Sequence, residues 1–216
     1  MDQKLRILIN LDWTSPALDR VMALLSCFAA WVPLLAILVV CIVWRGGFRA
    51  RSYVVTAVLI IAFNDSVLSN SIKHLVHRPR PAQVLDGVRQ VDLKKATPLI
   101  LAVCKAPSVK YSSPVENPGS TGRSLPSSHT INTISLALVT ACFYRKFGWI
   151  SAIPALLVAY SRIYTGSHWP SDVLIALFLG VGATLILLAA LNWFWREKGA
   201  RFLPAIHQRH PALFAS

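Results

Sequence analysis

Three short polar clusters in this chain hold residue types that could act on a phosphate. The first is Lys73-His74-Leu75-Val76-His77-Arg78-Pro79-Arg80-Pro81, the second Pro126-Ser127-Ser128-His129, and the third runs from Ser161-Arg162 through Gly166-Ser167-His168-Trp169-Pro170 to Asp172. Lys73, Arg80 and Arg162 offer fixed positive charges, the arginines as planar multi-donor forks and the lysine as a point charge, suited together to phosphate oxygens. Ser127 and Ser128 add hydroxyls and, at a helix N-terminus, free backbone N–H groups directed at an anion. Proline costs little at the first position of a helix, so Pro170 is expected to start one. His168 and Asp172 then lie one turn apart at its mouth, where the carboxylate holds one imidazole nitrogen and leaves the other free to attack phosphorus. His129 is the candidate proton donor to the leaving group and afterwards the base that activates water. Two histidines in opposite protonation states predict a bell-shaped pH dependence. No acidic pair suited to a metal accompanies them, so the expected cradle works with no metal and no cofactor. Taken singly, a Lys or Arg at the end of a membrane helix is an ordinary anchor and Pro-Ser-Ser an ordinary helix start. Their conjunction on one face is what argues for a site.

The elements around these clusters must carry them to that face. In 216 residues, 55% are hydrophobic and only 14% charged, and the polar residues fall between long apolar runs, which excludes an ordinary soluble domain. Val21 to Trp44 and Val173 to Trp193 carry no charge and are long enough to span a bilayer. Tyr53 to about Ser71, Thr130 to Tyr144 and Trp149 to Tyr164 are further apolar helices. The expectation is an all-α polytopic membrane helical bundle of about five to six transmembrane helices, forming a single domain over 1–216. At about 1.5 Å per residue the third helix covers only some 22 Å of a core of roughly 30 Å, so its polar end should sit slightly below the membrane surface. Ala82 to Leu125 reads as a cap lying over the active face, because so long a non-spanning segment is usually functional.

The net charge of +13 would suggest nucleic acid in a soluble protein, but here the basic residues fall in the turns between apolar helices and read as headgroup anchors, with no nucleic-acid partner. Met1 to Arg20 suits a short interfacial helix broken at Ser15-Pro16; a signal peptide is rejected because the apolar run continues far beyond Cys27. Asn64 and Asp65 should face the bundle and not lipid. Cys27, Cys41, Cys104 and Cys142 show no metal or disulfide spacing and read as small core residues. Arg196 to Ser216 is a basic tail whose end is expected to be poorly ordered. The compact basic turns at Arg45 to Arg51 and Arg145-Lys146, with tryptophans beside them, put that face in the cytoplasm of a bacterial inner membrane and the active face on the periplasmic side.

The pattern Lys-x6-Arg-Pro at Lys73 to Pro81, Pro-Ser-x-His at Pro126 to His129 and Ser-Arg-x5-His-x3-Asp at Ser161 to Asp172 resembles the type 2 phosphatidic acid phosphatase superfamily. That family includes bacterial acid phosphatases, vanadium haloperoxidases, glucose-6-phosphatase and membrane undecaprenyl-diphosphate phosphatases. The resemblance implies a phosphatidic acid phosphatase/haloperoxidase-like helical core and metal-independent hydrolysis through a phosphohistidine. It assigns His168 as nucleophile, Asp172 as its partner, His129 as acid, and Lys73, Arg80, Ser127, Ser128 and Arg162 to phosphate. Ser128 departs from the glycine common at its position; it keeps the N–H but narrows the space for a headgroup. A membrane setting favours a lipid phosphate substrate, with undecaprenyl diphosphate first and phosphatidate, phosphatidylglycerophosphate and lipid A phosphates as alternatives. A protein that binds or transports an anionic lipid without turnover is the non-enzymatic rival.

Overall fold

The apolar runs fold into helices, and the Pro, Gly and Ser residues between them set where each begins. A computed structural model describes residues 1–94, 102, 105–115, 123–146 and 148–214. Helix α1 (Asp2–Ile7) widens into a π-helical turn at Leu8–Asp12. Ser15 caps α2 (Pro16–Ser26) by accepting from the Leu18 N–H, with Pro16 in the first turn, where its missing N–H costs nothing. Next come α3 (Phe28–Arg45) and α4 (Phe48–Phe63), which passes through a π-helical turn at Asn64–Ser69 into α5 (Asn70–Val76). Left-handed His77 ends α5, and Pro81 opens the short α6 (Pro81–Val84). Strands β1 (Arg89–Asp92) and β2 (Ser108–Tyr111) pair antiparallel with Arg89 opposite Tyr111. Helices α7 (Ser128–Phe143), α8 (Ala152–Tyr164), α9 (Pro170–Phe202) and α10 (Pro204–Arg209) complete the order.

Among the described residues, three stretches are long and apolar enough to cross a membrane: Phe28–Arg45, Phe48–Val84 and Pro170–Phe202. Helices α7 and α8, of 16 and 13 residues, are the shorter members of the bundle. The expected first span from Val21 is interrupted at Cys27, whose backbone leaves the helical region, so α2 is a separate helix and the span starts at Phe28. Helix α2 turns inward instead: Met22 and Ala23 join a core with Ile9, Val91, Ala159, Ile163, Tyr164 and Val173. The N-terminal segment therefore fastens the bundle as well as flanking it. Asn10 Nδ2 donates to the carbonyls of Arg89 and Tyr164 at 2.7 Å each, and buried Asp19 takes Arg89 and the Tyr164 hydroxyl.

Asn64 faces the bundle, donating to Ser135 Oγ at 2.9 Å and Thr184 Oγ1 at 3.2 Å, so the π-helical turn is tied to α7 and α9 by a small polar cluster. Asp65 is exposed, yet its charge reaches Lys73 and His129. The cysteines also depart from a core role, since Cys41 is exposed and Cys27 and Cys142 only half-buried, while Cys104 lies outside the described residues. Leu213 and Phe214 of the tail pack on the cluster of Ala57, Ile60, Val139, Phe143 and Leu188, and Trp195 Nε1 donates to the His210 carbonyl at 2.8 Å, while the last two residues lie outside the described ones. The segment expected as a cap contains α6, β1 and β2, and its apolar island at Leu99 to Val103 lies, apart from Ala102, outside the described residues.

Helices α7 and α9 cross closely at Gly180, where a Cβ would stand 2.5 Å from Ile134 Cγ2 and 3.3 Å from Ile131 Cα. Gly180→Val should force the crossing apart and destabilise the fold by about 1–3 kcal/mol. Thermal unfolding in detergent reads this as a lowered midpoint; an unchanged midpoint would show that the crossing adjusts without cost.

Candidate active site

The third cluster is shaped by the join between α8 and α9. Gly166 takes a left-handed φ of +69°, and a side chain there would meet the Arg89 carbonyl of β1 at 2.5 Å, so the strand backbone lies directly on the loop. The Ser167 and His168 N–H groups both donate to the Arg162 carbonyl at 3.1 Å. Pro170 does start α9, and Asp172, three residues after the N-cap Trp169, turns back to accept the Trp169 N–H at 3.1 Å.

That cap changes the partnership expected between Asp172 and His168. The His168 Nδ1 lies 3.9 Å from Asp172 Oδ2 but 2.7 Å from the Ser124 carbonyl, which can only accept. Nδ1 therefore carries the proton and Nε2 is left with its lone pair. The Asp172 oxygens are taken elsewhere: Oδ1 accepts Arg78 Nη1 at 2.7 Å, and Oδ2 accepts Ser124 Oγ at 2.5 Å besides the Trp169 N–H. The carboxylate and the imidazole form a long pair one turn apart, with the Ser124 carbonyl as the nearer partner of Nδ1. Burial pushes His168 down to about 4; Asp172 works against this, and the Arg162 and Arg80 charges reinforce it. At neutral pH the imidazole is uncharged.

The other two clusters meet through Ser128. The Lys73 ammonium donates to Ser128 Oγ, which also pairs with Ser69 Oγ at 2.7 Å. The Ser128 hydroxyl is thus engaged with α5 and the π-helical turn before it. Ser127 is the N-cap residue of α7; its buried hydroxyl accepts Thr130 Oγ1 at 3.0 Å and is turned into the helix. Arg162, in the last turn of α8, is buried and donates to Ser26 Oγ and, at 3.3 Å, to the Ser26 carbonyl, while its Nε has no partner among the described residues. A cavity of about 570 Å³ is walled by Arg80, His129 and Arg162 with Ser26, Gln90 and Asp92. Lys73, Ser127, Ser128, His168 and Asp172 are not part of that wall; His168 and Asp172 are 3% and 0% exposed. His129 is within electrostatic reach of Arg162, His168 and Lys73, so all three clusters converge on one centre.

Four residues that the motifs did not single out hold this centre: Ser26, Ser69, Arg78 and Ser124. Arg78 sits inside the first cluster, and the Arg-Pro-Arg-Pro repetition was a signal for it. Ser69 lies one helical turn before Lys73. Ser26 and Ser124 come from segments with no periodic or motif signal.

A cationic centre of this kind, with a neutral buried imidazole beside it, can neutralise a phosphate and present a nitrogen to it. Comparison with known proteins agrees with the fold. The crystal structure of Aquifex aeolicus LpxE superposes with a TM-score of 0.59 over 87% of this chain and 94% of that one at 22% identity, a likeness of fold. The Bacillus licheniformis bacitracin transport permease protein BcrC is 39% identical over 85 residues, covering 39% of this chain and 37% of that protein. The Bacteroides thetaiotaomicron lipid A 4'-phosphatase is 26% identical over 174 residues, covering 77% and 66%, and the Bacillus subtilis undecaprenyl-diphosphatase BcrC is 36% identical over 64 residues, covering 30% and 33%. Each alignment spans less than two thirds of the relative's own length. A family model described as the PAP2 superfamily matches residues 52–196, well over half of the sequence and all three clusters, and the chain belongs to that superfamily.

Proposed function

We propose that this chain is a membrane lipid phosphatase that hydrolyses a phosphate monoester or diphosphate through a phosphohistidine on His168. The observation that carries this reading is the buried imidazole held at Nδ1 by the Ser124 carbonyl, beside a cavity walled by Arg80, Arg162 and His129. Phosphate entering the cavity is met by Arg80 and by Arg162, whose Nε has no partner among the described residues, and the Lys73 charge adds to theirs. The N–H groups of Ser127 and Ser128 at the start of α7 add to the cradle. Lys73 and Ser128 reach the phosphate once its oxygens compete for the ammonium that Ser128 now holds.

The Nε2 lone pair then attacks phosphorus and the bond to the lipid oxygen breaks, its electron pair going to that oxygen, which takes a proton from His129. Water attacks the phosphohistidine, giving its proton to His129, and the P–N bond returns its pair to Nε2 as phosphate leaves. The Asp172 charge stabilises the imidazolium character that develops on His168. The fixed cations do the electrostatic work that a metal ion does in other phosphatases.

Undecaprenyl diphosphate is the first substrate to test, a reading supported by the Bacillus subtilis relative; lipid A phosphates, supported by the Bacteroides relative, phosphatidate and phosphatidylglycerophosphate are the alternatives. The setting proposed is a bacterial cell membrane with the site on the periplasmic face, segment 82–125 covering it and the whole chain acting as one unit.

Purified protein in detergent should release phosphate from at least one of these four lipids, with vanadate inhibiting and chelators leaving the rate unchanged. Binding without release would favour the lipid-binding reading, and loss of activity in chelator would remove the metal-free mechanism. His168→Ala should abolish turnover. His129→Ala should slow it by roughly 100- to 10,000-fold, and less for a substrate with a good leaving group; equal losses for good and poor leaving groups would remove His129 as proton donor.

The His168 environment also sets a pH dependence. Its folded value of about 4 lies below the ordinary 6.5, so the folded state resists protonation that the unfolded chain accepts, and this contribution to stability is lost as pH falls from 6.5 towards 4. The acid limb of kcat/KM due to the nucleophile should accordingly lie near pH 4. A limb at the ordinary histidine value would show that His168 is solvated in the working enzyme.

A further inference from the structure

A second cavity, of about 620 Å³, adjoins the one beside His168, and the two share Arg80 and Gln90 in their walls. Most of its remaining wall comes from the segment between α5 and α7, with Gln83 of α6, Ser112 and Ser113 after β2, and Arg123. The backbone around it is pinned. The Ser112 N–H donates to the Val88 carbonyl and the Gly87 N–H to the Ser112 carbonyl, both at 3.0 Å, while Ser112 Oγ accepts the Val88 N–H at 3.0 Å and donates to the Leu85 carbonyl at 2.8 Å. The Val115 N–H donates to the Gln83 carbonyl at 3.0 Å. Ser124 donates its N–H to the Arg78 carbonyl at 2.9 Å, so the chain two residues before Arg80 is joined to the chain next to Arg123.

The charge of this wall is one-sided. Among the described residues it holds two guanidiniums and no carboxylate, whereas the wall of the cavity beside His168 includes Asp92. Neither Arg80 nor Arg123 forms an ion pair among the described residues, and both are exposed. Two unpaired guanidiniums facing one space repel each other, and an anion with several acceptor oxygens set between them replaces that repulsion with attraction. The Arg123 charge also reaches Lys73, which puts it at the edge of the cationic centre. Arg80 stands in both walls, so its planar fork can serve one anion in each cavity at once.

We propose that this second cavity is a subsite for a second phosphate group carried on the leaving group of the substrate, held between Arg80 and Arg123 while the scissile phosphate lies between Arg80 and Arg162. The subsite rests on the phosphatase reading above for its part in turnover, while its preference for paired phosphates is a property of binding alone. Two kinds of lipid carry such a group. In a lipid diphosphate the second phosphorus is one bridging oxygen from the first, and in phosphatidylglycerophosphate a glycerol separates the phosphate from the phosphodiester. A lipid monophosphate with an uncharged leaving group leaves Arg123 without an acceptor. Arg123 is thereby a specificity-determining residue, which adds affinity only where a second phosphate is present.

The test compares the full-length wild type with Arg123→Gln and Arg123→Lys in detergent. Binding of methylenediphosphonate and of methylphosphonate, neither of which has a P–O–P bond to break, is measured by titration calorimetry. In parallel, kcat/KM is measured on two matched pairs, a polyprenyl diphosphate with its monophosphate and phosphatidylglycerophosphate with phosphatidate. The wild type should bind methylenediphosphonate roughly tenfold more tightly than methylphosphonate, the scale of one hydrogen bond to a charged group, and Arg123→Gln should lose most of that preference. Arg123→Lys should keep part of it, because an ammonium supplies the charge without the fork. In Arg123→Gln the ratio of kcat/KM should fall by a similar factor within at least one matched pair, and the pair in which it falls identifies the lipid that the subsite takes. Equal weakening of both phosphonates would reveal only the long-range pull of a surface charge, and no change in either would show that Arg123 takes no part; each result overturns the proposal. If the wild type hydrolyses none of these lipids yet shows a diphosphonate preference that depends on Arg123, the phosphatase reading fails and the subsite stands.

Discussion

The constraint on which the site depends is a carboxylate with no access to water. Asp172 is fully buried, and a buried charge persists only if donors surround it. The first turn of α9 supplies a backbone N–H, Ser124 a hydroxyl and Arg78 a guanidinium, and each comes from a different part of the chain. Satisfying Asp172 therefore draws the segment after α5, the segment before α7 and the start of α9 to one point. Those same segments carry Arg80, His129 and His168. The polar accounting of one side chain does much of the work of assembling the three clusters.

The outer parts of the chain support that centre by packing as well as by charge. Asn10, Asp19 and Tyr164 knit the N-terminal helices to β1 and to the end of α8, and the close approach of Arg89 to Gly166 presses the strand against the loop that bears His168. Helix α2, which by composition could have extended the first span, is needed for this: Ser26 at its end receives Arg162. The break at Cys27 lets α2 turn inward while α3 remains outside the core. On the other side, the Asn64, Ser135 and Thr184 cluster and the close crossing at Gly180 hold α7 and α9 together, which keeps the start of α7 beside the start of α9.

The disposition of charge separates two jobs for cations in a membrane helical bundle. Lys73 and Arg162 are directed inward and hold hydroxyls that a phosphate could displace, whereas the arginines of the turns at the opposite ends of the helices stay at the surface. Hydropathy treats both sets alike. Asn64 takes the buried face of its turn, while the exposed Asp65 carries its charge towards Lys73 and His129.

Much of this protein was legible in its sequence because hydrophobic length and proline placement act locally. The order of the apolar helices, the start of α9 at Pro170 and the family motifs could all be read from neighbouring residues. The pairing of His168 and Asp172 across one turn was also legible, while the N-cap role that the same carboxylate takes towards the Trp169 N–H follows from its place three residues into α9. What tertiary structure alone decided was who completes the shell. Ser124 reaches His168 across 44 positions of sequence, Asp2 reaches Arg78 across 76, and the packed tail at Leu213 and Phe214 depends on the cluster it meets. Such partners leave no periodic trace, because a hydrogen bond to a buried group asks only for a donor or acceptor at the right point in space, and any segment that passes that point can supply it.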